Sequence, residues 1–335
     1  MKILILLCII INNLISTSIL AEKLAEPLVI YSARKTQQIS PLLNAFTKKT
    51  GIKTELMTGD AGPLLQRIIT EGAATKADIL FTVDAGNLWL AAEKDILQQV
   101  TSTQLEKNIP PHLRDPKNRW FGFSVRARTM IFNSKKVKNS ELSTYENLAE
   151  KTWLKRICLR SSQKVYNQSL VALLIKEFGE KKVENILKGW VNNLATAPFS
   201  SDDLVIQAIE AGQCDVGIVN TYYFAEHQRK NPKTPVQIFW ANQKTSGVHI
   251  NISGAGLTKY AKNSKAALEF LEWLSSVEAQ NIISDINLEF PANPAAKTSA
   301  IVSSWGAVKM NEQNLAIAGE LQSRASILMD RAGYK

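Results

Sequence analysis

The chain has 335 residues, with 40 Lys and Arg against 30 Asp and Glu, a formal net charge of +10, 45% hydrophobic residues, three cysteines and three histidines. Its lysines stand singly or in pairs among acids (Lys48-Lys49, Lys135-Lys136, Lys181-Lys182) with no nucleic-acid motif beside them, so the charge describes a solvated surface mildly favourable to anions and excludes nucleic acid as a partner. The length exceeds what one hydrophobic core usually serves, and two lobes are expected.

Residues 1–21 hold Lys2, an apolar run from Ile3 to Ile11 and a polar-spaced tail ending at Ala21. This is the pattern of a secretory leader, too short for a membrane span. Cys8 lies inside the apolar run and not behind a small-residue cleavage box, so a lipid anchor is not expected, and the mature chain should be a periplasmic or otherwise extracytoplasmic protein.

The first strand is Leu28–Tyr31. A helix follows from Ser40 to Gly51, with Ser40 as N-cap, Pro41 at its first position and Gly51 as its stop. A strand at Ile52–Met57, a helix at Gly62–Glu71 and a strand at Asp78–Val83 continue the alternation, which predicts an α/β fold on a mostly parallel sheet. Ser124–Asn133 is a longer strand in which period two puts Arg126 and Arg128 on one face. A second βα series runs from Ile157 through Cys214-Asp215, with helices at Ser169–Phe178 and Asp202–Ala211.

The apolar run Val216, Ile218, Val219 then ends in Asn220-Thr221 and the consecutive phenols Tyr222 and Tyr223, where a strand hands over to a helix that continues from Ala225 to Lys230. Ligands bind outside the carboxyl ends of strands in open α/β sheets, and a helix N-terminus adds N–H groups and positive potential. Adjacent side chains at first helical positions are about 100° apart, so two phenols can reach one point. The bland reading of the pair is aromatic packing. Val248–Leu257 reads as a strand returning to the first lobe, followed by helices at Ser264–Leu274 and Ser276–Ile286, the stretch Glu289–Pro294 and a helical region through Met329.

The mature chain keeps Cys158 and Cys214, each opening an apolar strand-like run. In an oxidising compartment the pair is a disulfide candidate, with two buried free thiols as the alternative.

Several segments together carry a resemblance: Val29–Arg34, Gly51-Ile52, Ala77–Leu80, Arg126-Ala-Arg128, Cys158–Ser169 with its Val-Tyr-Asn-Gln-Ser, Gln213–Tyr223 with its Asn-Thr-Tyr-Tyr, and Phe290–Pro294. Over nearly the whole mature chain the sequence resembles the periplasmic ferric-iron-binding proteins of ABC importers. The resemblance implies a two-lobed periplasmic-binding-protein-like fold with crossing strands as hinge and a ligand cleft between the lobes. The lobes are expected over residues 22–125 plus 250–300 and over 126–249, with a C-terminal helical region at 301–335. It further implies a monomer that holds Fe3+ and delivers it to a permease in the inner membrane, with Tyr166, Tyr222 and Tyr223 as ligands.

Ferric iron prefers anionic oxygen, and a bound cation can remove a phenol proton although free tyrosine has a pKa of about 10. Three phenolates neutralise a trivalent ion and leave coordination open to water or a synergistic anion such as carbonate. By the same resemblance, Arg126 or Arg128 holds that anion bidentately; either could instead be a plain salt-bridge partner between lobes. Asn220 is implied as a hydrogen-bonding neighbour of the tyrosine pair, or only a helix cap.

The chain departs from many relatives in lacking a histidine after the first strand, where Ser32-Ala-Arg-Lys-Thr36 stands. Lys35 is a nitrogen donor that must lose a proton with a pKa near 10.4, so it should supply charge, with Arg34, and not bind the metal. The stretch Gly59–Pro63 lacks a glutamate found in some relatives, unless Asp60 substitutes. Tyr31 is a reserve ligand whose place inside a strand favours core packing. His112, His227 and His249 show no zinc spacing, and no Ser/His/Asp or Cys/His arrangement supports an enzyme. The competing reading is a protein of the same architecture for a phosphonate- or sulfate-like anion.

Overall fold

The computed structural model describes residues 26–335; the leader read over residues 1–21 lies outside the described residues. Three parallel strands begin the first lobe: β1 (Leu28–Ser32) lies between β2 (Thr54–Thr58) and β3 (Ile79–Val83), with α1 (Thr36–Thr50) and α2 (Ala61–Glu71) as crossovers. Helix α1 starts four residues before the expected cap and takes Pro41 into its interior. The earlier start is explained by the buried stripe Ile39, Leu42, Leu43, Phe46, whose i, i+3, i+4, i+7 spacing begins at Ile39 and not after the proline.

Helices α3 (Ala85–Glu93) and α4 (Thr103–Asn108) lead to β4 (Phe121–Asn133), a strand buried along all of its length. The second lobe follows with β5 (Ile157–Cys158), α5 (Val165–Phe178), α6 (Glu180–Asn192), α7 (Asp202–Glu210), β6 (Val216–Asn220), α8 (Thr221–Lys230) and β7 (Val236–Phe239). Strand β8 (Ile250–Leu257) returns beside β3, and α9 (Ser264–Leu274), α10 (Val277–Asn287) and β9 (Phe290–Pro291) follow it. The chain ends in α11 (Ala300–Ser303), α12 (Ile317–Glu320), which packs on both α3 and α5, and α13 (Gln322–Arg331).

The two lobes are joined through β4. Its first half, to Ala127, pairs antiparallel with β8; its second half, from Arg128, pairs antiparallel with β6 and β7. One strand therefore serves both sheets and changes partners between Ala127 and Arg128. The Tyr145 hydroxyl pins this point. It accepts from the His249 N–H (3.1 Å) and donates to the Arg128 carbonyl (2.5 Å), tying the two crossing strands together.

Just past the switch, Arg128 is fully spent inside the second lobe. Its Nε donates to Asn167 Oδ1 (2.8 Å), its Nη1 to Asp202 Oδ1 (3.0 Å) and Asn220 Oδ1 (3.1 Å), and its Nη2 to the Ile218 carbonyl (3.2 Å). Cys158 and Cys214 are disulfide-bonded, with Cα atoms 5.8 Å apart, which fastens β5 to the approach of β6. Gly217, opposite Cys158 in that pairing, is required by close packing: a Cβ there would lie 2.6 Å from the Cys158 carbonyl oxygen and 2.7 Å from Val205 on α7.

Two outcomes follow for the metal-free protein. The bridge closes a loop with a sequence separation of 56, so Cys158→Ser with Cys214→Ser should lower unfolding stability by about 4 kcal/mol on the chain-entropy account. Urea unfolding curves check this, and quantitative labelling of the unfolded, unreduced chain should find no free thiol. Arg128→Ala leaves the buried Asp202 carboxylate short of a partner and should cost about 3–5 kcal/mol in the same assay; wild-type stability would contradict the structural role given to Arg128.

Candidate metal centre

The three tyrosines singled out from the sequence meet in one cleft of about 520 Å³. Both helices that carry them begin earlier than their apolar periodicity alone suggests. Helix α5 opens at Val165 and α8 at Thr221, so Tyr166, Tyr222 and Tyr223 all stand in first helical turns. Lys164 and Asn220 occupy the N-cap positions without a side-chain cap bond, and the positive ends of both helices are directed at the phenols.

The rings of Tyr222 and Tyr223 lie 4.3 Å apart between centres. Asn220 Nδ2 donates to the Tyr222 hydroxyl at 3.4 Å while its Oδ1 accepts from Arg128 Nη1 at 3.1 Å. Tyr166 is buried, and three cations face its ring: Lys164 Nζ at 5.2 Å, Arg126 Cζ at 5.4 Å and Arg160 Cζ at 5.7 Å from the centre. A cation over an aromatic face is attractive in itself.

Burial raises the pKa of the Tyr222 phenol well above its ordinary value, and the neighbouring Tyr166 and Tyr223 add to the rise while Arg126 opposes it. Burial likewise raises Tyr223, with Tyr166 reinforcing the shift and hydrogen bonding to Tyr222 drawing it back. Both phenols are therefore neutral at pH 7, and a cation bound by their oxygens would have to displace their protons. Its affinity must fall as the pH drops.

The cleft resolves the two arginines that period two alone left equivalent. Arg126 lines it, with one nitrogen 3.8 Å from Asp84 and 3.5 Å between Nη1 and Ser253 Oγ, and its Nη2 is buried without a hydrogen-bond partner. Arg128 does not line the cleft, because the network described above consumes its donors; as an anion-holding candidate it is corrected. Opposite the tyrosines stand Arg34, Lys35, Gln38 and Asp60. Arg34 is buried and donates to Glu289 Oε2 (2.9 Å) and Ser124 Oγ (3.3 Å), leaving Nε unpartnered.

Tyr31 is corrected as a reserve ligand. It is absent from the cleft lining, its hydroxyl donates to Glu71 (3.3 Å) and its ring stacks under Arg67 of α2, because β1 points it toward the crossover helix. Asp203 and Glu226, at the cleft beside the tyrosine pair, carried no sequence signal beyond helix placement. Asp202 read only as a helix start; in the fold it is fully buried and bonds both Arg128 and Arg160. Among the described residues no cluster of three or more His, Cys, Asp or Glu side chains is placed to hold a metal.

Residues 74–307 match the family described as bacterial extracellular solute-binding protein. Among curated proteins, the iron uptake protein A1 of a Synechocystis strain is 40% identical over 91% of this chain and 87% of its own. Two solved structures are similar along the same length. A Trichodesmium IdiA (FutA) protein in complex with iron and citrate shares 42% identity at a TM-score of 0.89, over 92% of this chain and 100% of that one. The apo form of FutA2 from Synechocystis shares 36% at 0.87, over 92% and 99%. A two-lobed binding-protein fold, matched along nine-tenths of its length, places the chain in the bacterial extracellular solute-binding family, in the group that contains the iron-uptake and ferric-iron-binding proteins.

Proposed function

We propose that the protein captures ferric iron in the cleft and delivers it to an ABC permease of the inner membrane. The observation that carries this reading is the convergence of Tyr166, Tyr222 and Tyr223 on one cleft from two helix N-termini. Hard trivalent iron favours anionic oxygen, and three phenolates would balance its charge. Phenol hydroxyls and arginines would also donate to a plain anion; the iron reading is favoured because the curated relatives 40% and 37% identical over 91% of this chain are named iron uptake proteins.

In this account the protein is exported through its N-terminal leader and acts as a periplasmic monomer. A division into residues 22–125 plus 250–300 and 126–249 is supported by the change of partners along β4, which falls two residues later, between Ala127 and Arg128. Iron meets the second-lobe tyrosines first, each phenol losing its proton to solvent as the bond to iron forms. The lobes then close about the crossing strands and exclude water. The first lobe supplies charge and hydrogen bonds through Arg34 and Lys35, and Asn220 steadies Tyr222. An exogenous oxyanion such as carbonate fills the open coordination, held by Arg126, whose buried Nη2 lies 3.8 Å from Asp84 and makes no hydrogen bond. No catalytic step is assigned to any residue.

Titration of the metal-free protein with a ferric salt, followed by visible absorbance with and without added bicarbonate or citrate, tests the reading. One ferric ion per chain should bind with a phenolate-to-iron band, more tightly in the presence of the anion. Tyr166→Phe, Tyr222→Phe and Tyr223→Phe keep ring packing but delete a ligand, and each should weaken binding by at least about a hundredfold, the loss of roughly 3 kcal/mol, while Tyr31→Phe leaves it unchanged. Undiminished colour and affinity in the three cleft variants would refute the ligand set. Complete independence from anions, with loss of iron in Tyr31→Phe, would show that the chain itself supplies a fourth phenolate.

A further inference from the structure

A further buried arginine stands beside the tyrosines. Arg160 follows Cys158 by two residues, in an extension of β5 that bridges to Phe199. Its backbone is fixed, the carbonyl accepting from Asn167 Nδ2 (2.9 Å) and from the Tyr334 hydroxyl (2.6 Å). Its side chain is gripped from behind by Asp202, with Nη1 to Oδ2 at 2.8 Å. The guanidinium reaches the tyrosine cluster, lying 5.7 Å from the ring centre of Tyr166 and close to the Tyr223 phenol. Its Nε is buried and has no hydrogen-bond partner.

A buried guanidinium N–H without an acceptor is unfavourable, and its retention here makes sense where a second state of the molecule supplies the acceptor. The neutral Tyr223 hydroxyl is a weak one. Once iron has displaced its proton, the same oxygen becomes an anionic acceptor, and a hydrogen bond from guanidinium to phenolate is of the strong, charge-assisted kind. Arginine suits the task because it stays protonated and presents several donors in a rigid fork. Asp202 offsets part of its charge, so the incoming trivalent ion does not face a bare cation. Lys164 is no substitute, being a flexible, strongly hydrated point charge on the Tyr166 side.

We propose that Arg160 is a positioning residue for iron capture, donating a hydrogen bond to the Tyr223 phenolate oxygen in the loaded site; the inference rests on the iron reading above. The oxygen would then be shared between metal and guanidinium, which fixes its direction and lowers its electron donation to iron.

The test compares wild-type protein with Arg160→Gln and Arg160→Lys, each loaded from ferric citrate. The readouts are the position of the visible band, the apparent affinity in citrate competition and the thermal midpoint of the metal-free form. Loss of the hydrogen bond leaves a more electron-rich phenolate, so the Gln variant should show a band shifted to longer wavelength and an affinity about tenfold to a hundredfold lower. The Lys variant, which keeps a cationic donor, should recover part of both. A Gln variant with an unshifted band overturns the inference, whether its affinity is retained or is lost together with the thermal midpoint as a purely structural role would have it. Should the Gln variant fail to fold, a Lys variant with the wild-type band position and affinity supports the proposal's need for a cationic donor, and one with affinity lost but the band unmoved overturns it. A wild-type protein that takes up iron without a visible band would overturn the iron reading itself.

Discussion

The buried carboxylate of Asp202 is the interaction on which the tyrosine platform depends. It bonds Arg128 through one oxygen and Arg160 through the other, with no exposure of its own. Arg128 carries the constraint outward: Asn167 is the residue after Tyr166 on α5, and Asn220 is the N-cap of α8 and the partner of the Tyr222 hydroxyl. Asp202 is itself the first residue of α7. Three helix N-termini are thus gathered about one guanidinium. Their positive ends and the two arginines would repel one another without the carboxylate between them.

The second constraint is that β4 belongs to both sheets. Arg126 and Arg128 are only two residues apart, yet the change of partners between Ala127 and Arg128 sends them to different tasks, one to the cleft with Asp84 and Ser253, the other into the second-lobe network. The cleft and the crossing between the two sheets therefore share a strand. The Tyr145 hydroxyl ties the crossing together, and α12 packs across both α3 and α5. Burial of Tyr222 and Tyr223 favours their neutral phenols, so a cation bound by their oxygens would release protons.

Much of this was legible in the sequence because it is local. Alternating apolar runs and helical stripes gave the βα order, and a strand ending in Asn-Thr-Tyr-Tyr placed two phenols at a helix start. Cys158 and Cys214, each opening an apolar run, made a disulfide candidate, and the fold contains that bridge. What was not legible depends on distant partners. Asp202 lies 74 residues from Arg128 and 42 from Arg160, so it read as a helix cap and nothing more. Period two made Arg126 and Arg128 look alike, since no local pattern marks where a strand changes sheets. Helices α1 and α5 begin earlier than local caps suggest, because long-range burial of residues such as Ile39 and Tyr166 extends them toward their N-termini.

The central claim is that iron is held by phenolate oxygens from these helix starts. A crystal structure of the iron-loaded protein, with the metal located by anomalous scattering at the iron edge, tests it most directly. The account predicts one iron in the cleft bonded to the hydroxyl oxygens of Tyr166, Tyr222 and Tyr223, with a small oxyanion between the metal and Arg126. Iron bound through carboxylates such as Asp203 and Glu226, with the tyrosine oxygens turned away from it, would contradict the account.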